Sequence, residues 1–201
     1  MKLNGLVKAL LWICLACPLW AGTAVAQPNG GQIKALFLYN FANFVRWPPE
    51  AFANGEDTLR MCIFGDAKLG SFLDQVNGSR IRDKRLQVIR TDKLEDIESG
   101  CHILFVSINK GSYLHQLTNS TKNIYVLSVS DVENFARNGG VISIIRTSDK
   151  LTFEINLDTA LRNGLLISSD LLSMARIVGR DGKSVDPDKV GPEDTLLREK
   201  Q

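Results

Sequence analysis

The 201-residue chain carries 24 Lys+Arg against 22 Asp+Glu, a formal net charge of +2. So even a balance argues against general nucleic-acid binding, which needs a surplus of positive charge facing the phosphates. The length suits one domain with a core of its own, and four cysteines make the redox compartment the first question.

The N-terminus bears on that question. Lys2 and Lys8 lead into a run from Ala9 to Trp20 that is apolar apart from its cysteines and Pro18, and small residues follow, ending Ala24-Val25-Ala26. A basic start, an apolar core of this length and an A-x-A site predict a secretory signal peptide over residues 1–26, cleaved after Ala26 to leave Gln27 first. The run is too short to span a bilayer. Cys17 invites a lipoprotein reading, but Cys14-Leu15-Ala16 before it and Pro18 after it make a poor lipidation site. Removing the leader leaves 175 residues, Cys62 and Cys101 as the remaining cysteines, and 22 basic against 22 acidic side chains. Two cysteines in an exported chain favour a disulfide over two buried thiols.

Gly31 to Val45 reads as a helix, with Ile33, Leu36, Phe37, Phe41, Phe44 and Val45 at three- and four-residue steps. Leu38 and Tyr39 widen its apolar surface. That surface serves either core packing or a second subunit. Pro48 stops the helix, because it biases Trp47 away from helical backbone. Leu59 to Asp66 and Cys101 to Ser107 are short apolar runs, each with a cysteine near its front and a helical pattern behind it. They read as two buried parallel strands lying side by side in a βαβαβ unit, stapled by Cys62–Cys101. Between them come a short helix through Leu69, Phe72, Leu73 and Val76, closed by Asn77-Gly78, and a strand through Leu86, Val88 and Ile89. A short helix from Lys93 to Glu98 follows. Arg80, Arg82, Lys84, Arg85 and Arg90 fit an edge strand guarded against stray pairing, with anion binding as the alternative.

Further on, Tyr113, Leu114 and Leu117 mark a helix, and Ile124 to Leu127 a fourth strand. Ser130 or Asp131 caps a helical turn with Val132 and Phe135 inward. Val141 to Ile145 and Leu151 to Asn156 are strands joined by Thr147-Ser148-Asp149-Lys150. They form an antiparallel hairpin expected to end an otherwise parallel sheet. Asp158 opens a helix that Gly164 closes; Leu165 to Ile167 is extended. Ser168-Ser169-Asp170 caps a last helix carrying Leu171, Leu172, Ala175 and Val178. Residues 180–201 hold eleven charged side chains in 22 and read as a disordered tail. The fold class is therefore α/β: three layers, a mostly parallel sheet flanked by helices, and an antiparallel hairpin near the C-terminal end. The domain runs from 27 to 179.

No phosphate-binding glycine loop is present, no H-x-x-x-H or C-x-x-C spacing survives the leader, and no serine sits in a G-x-S-x-G elbow. Asp66, at a strand's carboxyl end, reads as a helix N-cap. No catalytic residue, metal or cofactor is expected.

Four segments carry a resemblance. Phe44-Val45-Arg46-Trp47-Pro48, Cys62-Ile63-Phe64-Gly65, Ser99-Gly100-Cys101, and Phe153 to Asp158 with Ala160, Arg162, Gly164, Ser168, Leu171, Leu172 and Ala175 follow one another as in the YfiR/HmsC-like periplasmic family. The chain resembles that family from about Ile33 to Val178. The resemblance implies a regulator rather than an enzyme. Such proteins repress an inner-membrane diguanylate cyclase by binding its periplasmic part, and so lower cyclic-di-GMP and biofilm formation. An outer-membrane lipoprotein or oxidative stress relieves the repression, and homodimers are usual. One departure stands out: well-known members carry a second cysteine pair in the segment matching Gly139 to Thr152, and this chain has none there.

Arg46 and Trp47, at a fixed chain break, are residue types that dominate interfaces. Glu154 and Asn156 are expected on the polar face of their strand, with Glu154 solvated, paired with Arg46 or touching a ligand. Ser173 and Arg176 on the last helix complete the candidate patch. The rival reading is a periplasmic small-ligand-binding or sensor protein, since α/β sheets offer a crevice.

Overall fold

The computed structural model describes residues 30–52, 55–65, 67–98, 100–113, 115–117, 125–148, 150–179 and 184–185. The expected signal peptide, Asp66 with its N-cap role, and the tail apart from residues 184–185 lie outside them. In chain order come α1 (Gly30–Phe44), β1 (Val45–Arg46), a 3₁₀ turn at Pro49–Ala51, β2 (Thr58–Phe64), α2 (Phe72–Val76), β3 (Arg80–Ile81), β4 (Lys84–Thr91), α3 (Leu94–Glu98), β5 (Ile103–Val106) and a 3₁₀ segment at Ile108–Tyr113. Then follow β6 (Leu127–Ser130), β7 (Ile142–Arg146), β8 (Leu151–Asn156), α4 (Leu157–Arg162), β9 (Leu166–Ile167), α5 (Ser169–Ser173), β10 (Arg176–Val178) and β11 (Ser184–Val185).

One nine-stranded sheet runs β11-β10-β8-β7-β6-β5-β2-β4-β3, and β1 and β9 form a separate antiparallel pair. From β4 through β2, β5 and β6 to β7 all pairings are parallel. The first and third of these strands, β2 and β5, are neighbours as expected, so the chain winds outward in both directions from β2. Helices must then cover both faces, which is why β5 (Ile103–Val106) and the Met61–Phe64 part of β2 are unbroken apolar runs, while β6 buries its two serines along with Leu127 and Val129. Leu59, Met61 and Ile63 join one core with Ile103, Phe105 and the buried side of α1. Cys62 and Phe64 join the other with Ile97, Leu104 and Val106. The broad apolar surface of α1 goes largely to core packing. Phe37 and Phe41 meet Phe153 at 5.6 and 5.1 Å, and Tyr39 meets Phe72 at 5.9 Å.

Several expected element bounds and caps are corrected. The fourth strand is Leu127–Ser130: of the residues expected before Leu127, Ile124 lies outside the described ones, and Tyr125 takes left-handed backbone at φ 59°. The helical turn after Ser130 is a run of turns, still with Phe135 buried. The hairpin β7–β8 does not end the sheet. The last helix stops at Ser173, and β-branched Ile177 and Val178 extend along the open edge of β8 as parallel β10. Within the expected tail, Ser184 and Val185 pair antiparallel with β10. Finally, α4 is capped by Asn156, whose Oδ1 accepts from the Thr159 N–H at 2.9 Å, not by Asp158. At the opposite edge, two-residue β3 covers part of β4, leaving the cation-rich strand nearly at the border.

Cys62 and Cys101 are bonded, Cα–Cα 5.9 Å, although they are not level: Cys62 is in register with Leu104, and Cys101 precedes β5. The bond ties the sheet centre to the loop that feeds the third parallel strand. Closing a loop of this length removes roughly 4 kcal/mol of unfolded-state entropy. Reduction, or the double change Cys62→Ala with Cys101→Ala, is therefore expected to lower Tm by roughly 8–16 °C in a thermal melt.

Beside it, His102 is 3 % exposed. Its Nδ1 accepts from the Arg60 N–H at 3.0 Å and its Nε2–H donates to the Ala51 carbonyl at 3.0 Å, while Phe52 stacks on the ring at 4.6 Å. The neutral ring thus pins the 3₁₀ turn to the sheet. Burial, reinforced by the Arg60 and Lys84 charges, holds its pKa below the ordinary value of about 6.5. The unfolded chain therefore binds this proton first, so the contribution is complete above about pH 6.5 and is lost as pH falls toward the lowered folded value. Urea midpoints measured between pH 7.5 and 5 are expected to fall more steeply for the native chain than for His102→Gln, which starts less stable but lacks this titration.

Candidate functional site

The helix break at Pro48 delivers Arg46 and Trp47 to different environments. Arg46 lies on β1, antiparallel to Leu166 of β9, and is exposed. Its guanidinium has no hydrogen-bond or ion-pair partner among the described residues. Trp47 is half-buried against the larger core, and its indole Nε1–H donates to the Tyr125 carbonyl at 3.0 Å. Tyr125 holds its unusual backbone where its ring closes over Gly164. A Cβ on that glycine, itself at φ 70°, would come within 2.8 Å of the Tyr125 ring. The end of α4 is thereby tied to the tryptophan.

Arg46 and Trp47 open onto a cleft of about 330 Å³. Ala42, Val45, Leu59 and Ile81 form its buried floor. Phe52 forms a second aromatic wall, and the β3–β4 turn brings Arg82 and Lys84. The turn has two residues, a geometry that demands positive φ, and Arg82 occupies it at φ 56°. Its guanidinium donates to the Asn43 carbonyl at 2.6 Å, covering a bare carbonyl in the last turn of α1. Lys84 Nζ lies 4.3 Å above the Phe52 ring, donates to the Glu56 carbonyl at 3.1 Å, and stands 3.5 Å from Asp83. The sequence offers Arg82 and Lys84 as edge-strand cations, with anion binding as the alternative. Nothing in their spacing places them against a tryptophan 35 or more residues earlier.

Glu154 and Asn156 are not on a solvated face. Glu154 is 2 % exposed and accepts two hydrogen bonds from Arg137, from Nε at 3.1 Å and Nη2 at 2.8 Å. Asn156 donates from Nδ2 to the Ala136 carbonyl at 2.8 Å while capping α4. Strand alternation puts both residues opposite Phe153 and Ile155, as expected, but the turns holding Ala136 and Arg137 cover that side. The partner of Glu154 is therefore Arg137 rather than Arg46. The carboxylate in turn holds the Arg137 guanidinium above its already high pKa, chiefly through these hydrogen bonds.

Ser173 and Arg176 line a separate depression of about 240 Å³ beside Thr147, Lys150 and Thr152. Ser173 closes α5, its Oγ donating to the Asp170 carbonyl at 2.8 Å. Arg176 is on β10, not on the last helix. The six candidate residues thus fall in three places: Arg46 with Trp47 at the cleft, Ser173 with Arg176 at the depression, and Glu154 with Asn156 inside.

Among the described residues, no group of three or more His, Cys, Asp or Glu side chains is arranged to hold a metal, and no helix is long and apolar enough to cross a membrane. One similar solved structure is the ABC domain in complex with L-Trp from Streptococcus pneumonia, 10 % identical, with a TM-score of 0.45 over 70 % of this chain and 59 % of that one. A family model described as YfiR/HmsC-like matches residues 31–176 and takes in the R-W-P break, both cysteines and the strand of Glu154. The chain belongs to the YfiR/HmsC-like family, known in general as periplasmic regulators of cyclic-di-GMP signalling.

Proposed function

We propose that this protein is a periplasmic regulator that binds and represses the periplasmic domain of an inner-membrane diguanylate cyclase, lowering cyclic-di-GMP and biofilm formation. The family match over residues 31–176 supports the regulatory class. The observation that carries the contact is Arg46: an exposed arginine with no partner among the described residues, beside an aromatic whose position is fixed from behind. A pre-positioned aromatic and an uncommitted arginine lose little freedom when a partner covers them. The protein would act by stabilising the inactive conformation of the cyclase.

The same reading places the chain in the periplasm after cleavage behind Ala26, as a homodimer, with an outer-membrane lipoprotein as the competitor that relieves repression. The Cys62–Cys101 disulfide and the absence of a membrane-crossing helix among the described residues agree with export. The segment in which relatives carry a second cysteine pair is a hairpin here. It is closed by Thr147, whose N–H and hydroxyl both donate to the Lys150 carbonyl at 2.9 Å. A redox switch built on that second pair has no counterpart in this chain.

Deleting the gene is expected to raise cellular cyclic-di-GMP, and restoring the exported protein, but not a leaderless one, to lower it again. Arg46→Ala should leave Tm unchanged and still fail to repress, since truncating an interface arginine costs about 2 kcal/mol or more, roughly 30-fold in affinity. Full repression by Arg46→Ala at normal protein level would remove Arg46 from the contact; unchanged cyclic-di-GMP on deletion would remove the repressor reading itself.

A further inference from the structure

The cleft in front of Trp47 has features that a contact surface alone does not require. Its floor is apolar and buried: Ala42, Val45, Leu59 and Ile81 are each no more than 3 % exposed. Its walls are Trp47 and Phe52, both already held, the first by the Tyr125 carbonyl and the second by stacking on His102. Three cations, Arg46, Arg82 and Lys84, line it against one carboxylate, Asp83, and that carboxylate stands beside Lys84. Asp83 offsets the charge of Lys84, but Arg82 spends its hydrogen bond on a backbone carbonyl and Arg46 spends none among the described residues, so the mouth keeps two uncompensated positive charges. A concave, pre-formed apolar site with a few convergent charges at its mouth is how small-molecule sites are built, and about 330 Å³ falls at the lower end of their size range.

We propose that this cleft binds a small organic anion, with an apolar body against Trp47 and Phe52 and a single carboxylate or comparable group at the Arg46, Arg82 and Lys84 side. Body and charge are both needed. A bare anion would leave the apolar floor wet, and a neutral analogue would leave the cations without a counter-charge in a partly desolvated site. The binding step involves this chain alone and does not depend on the cyclase.

The test is calorimetric titration of the chain from Gln27 to Gln201 with 3-phenylpropionate, with 3-phenylpropanamide and inorganic phosphate as matched probes. Quenching of tryptophan fluorescence serves as a second readout, since Trp47 is the sole tryptophan past the expected leader. Saturable binding of the carboxylate is expected, at least about tenfold tighter than the amide or phosphate. Arg46→Gln and Lys84→Gln, checked for unchanged Tm, should each weaken it at least about fivefold. Because Arg46 is exposed, its replacement does not put folding at risk. No saturable binding, equal binding of the amide or of phosphate, or undiminished binding by both folded variants would overturn the proposal. None of these results depends on whether the chain represses a cyclase, because no cyclase is present in the titration.

Discussion

Strand β2 pairs in parallel with β4 on one side and β5 on the other, and the rest of the molecule follows from that. Parallel neighbours cannot be joined by a tight turn, so each step away from β2 needs a crossover, and the crossovers put structure on both faces. Both faces then close into cores, the larger under α1 and the smaller around Cys62 and Phe64. The Cys62–Cys101 bond belongs to the smaller core, which has fewer apolar contacts with which to hold β5 in place. His102, next in the chain, fastens the same loop from the opposite direction through Ala51 and Arg60.

The cleft is a by-product of how α1 ends. Pro48 keeps the helix from running on, and Val45 and Arg46, just past the helix end, pair with β9. That pairing carries Arg46 outward. Trp47 packs inward against the larger core and donates its indole N–H to the Tyr125 carbonyl, and the Tyr125 ring lies over Gly164, a position with no room for a side chain. The wall opposite comes from the β3–β4 turn, where an arginine accepts left-handed backbone and offsets the strain by capping α1. Three sequence-distant segments therefore meet at one groove, and in each the local geometry has a named partner.

Charge pairing sorts the remaining candidates. A buried carboxylate must be met by a cation with good geometry, and Arg137 meets Glu154 with two hydrogen bonds from behind the strand. Arg176 lies opposite Glu154 in the strand register, yet Glu154 is already committed, and Arg46 lies in another part of the fold altogether. Glu154 and Asn156 stabilise the fold, fastening the turns that cover β8. Arg46 is left as the arginine with no partner among the described residues at the cleft.

The sequence by itself determined what depends on local chemistry. The helix stop at Pro48, the continuous apolar runs of β2 and β5, the β7–β8 hairpin around Thr147 to Lys150, and the Ser168 cap of α5 are all written in residue type and period. So was the pairing of β2 with β5, since a βαβαβ unit leaves few alternatives, and with it the nearness of Cys62 and Cys101. Only the tertiary structure decided which way a face looks. Strand alternation placed Glu154 and Asn156 together correctly, but whether that side met water or the turns around Arg137 was not a property of the strand. In the same way, Tyr125 and Val126 have the composition of a strand, yet Tyr125 takes left-handed backbone and its carbonyl accepts from a tryptophan 78 residues earlier. Arg82 and Lys84 show the same limit: periodicity placed them at an edge strand, and only the packing of α1 against that edge set them around a cleft.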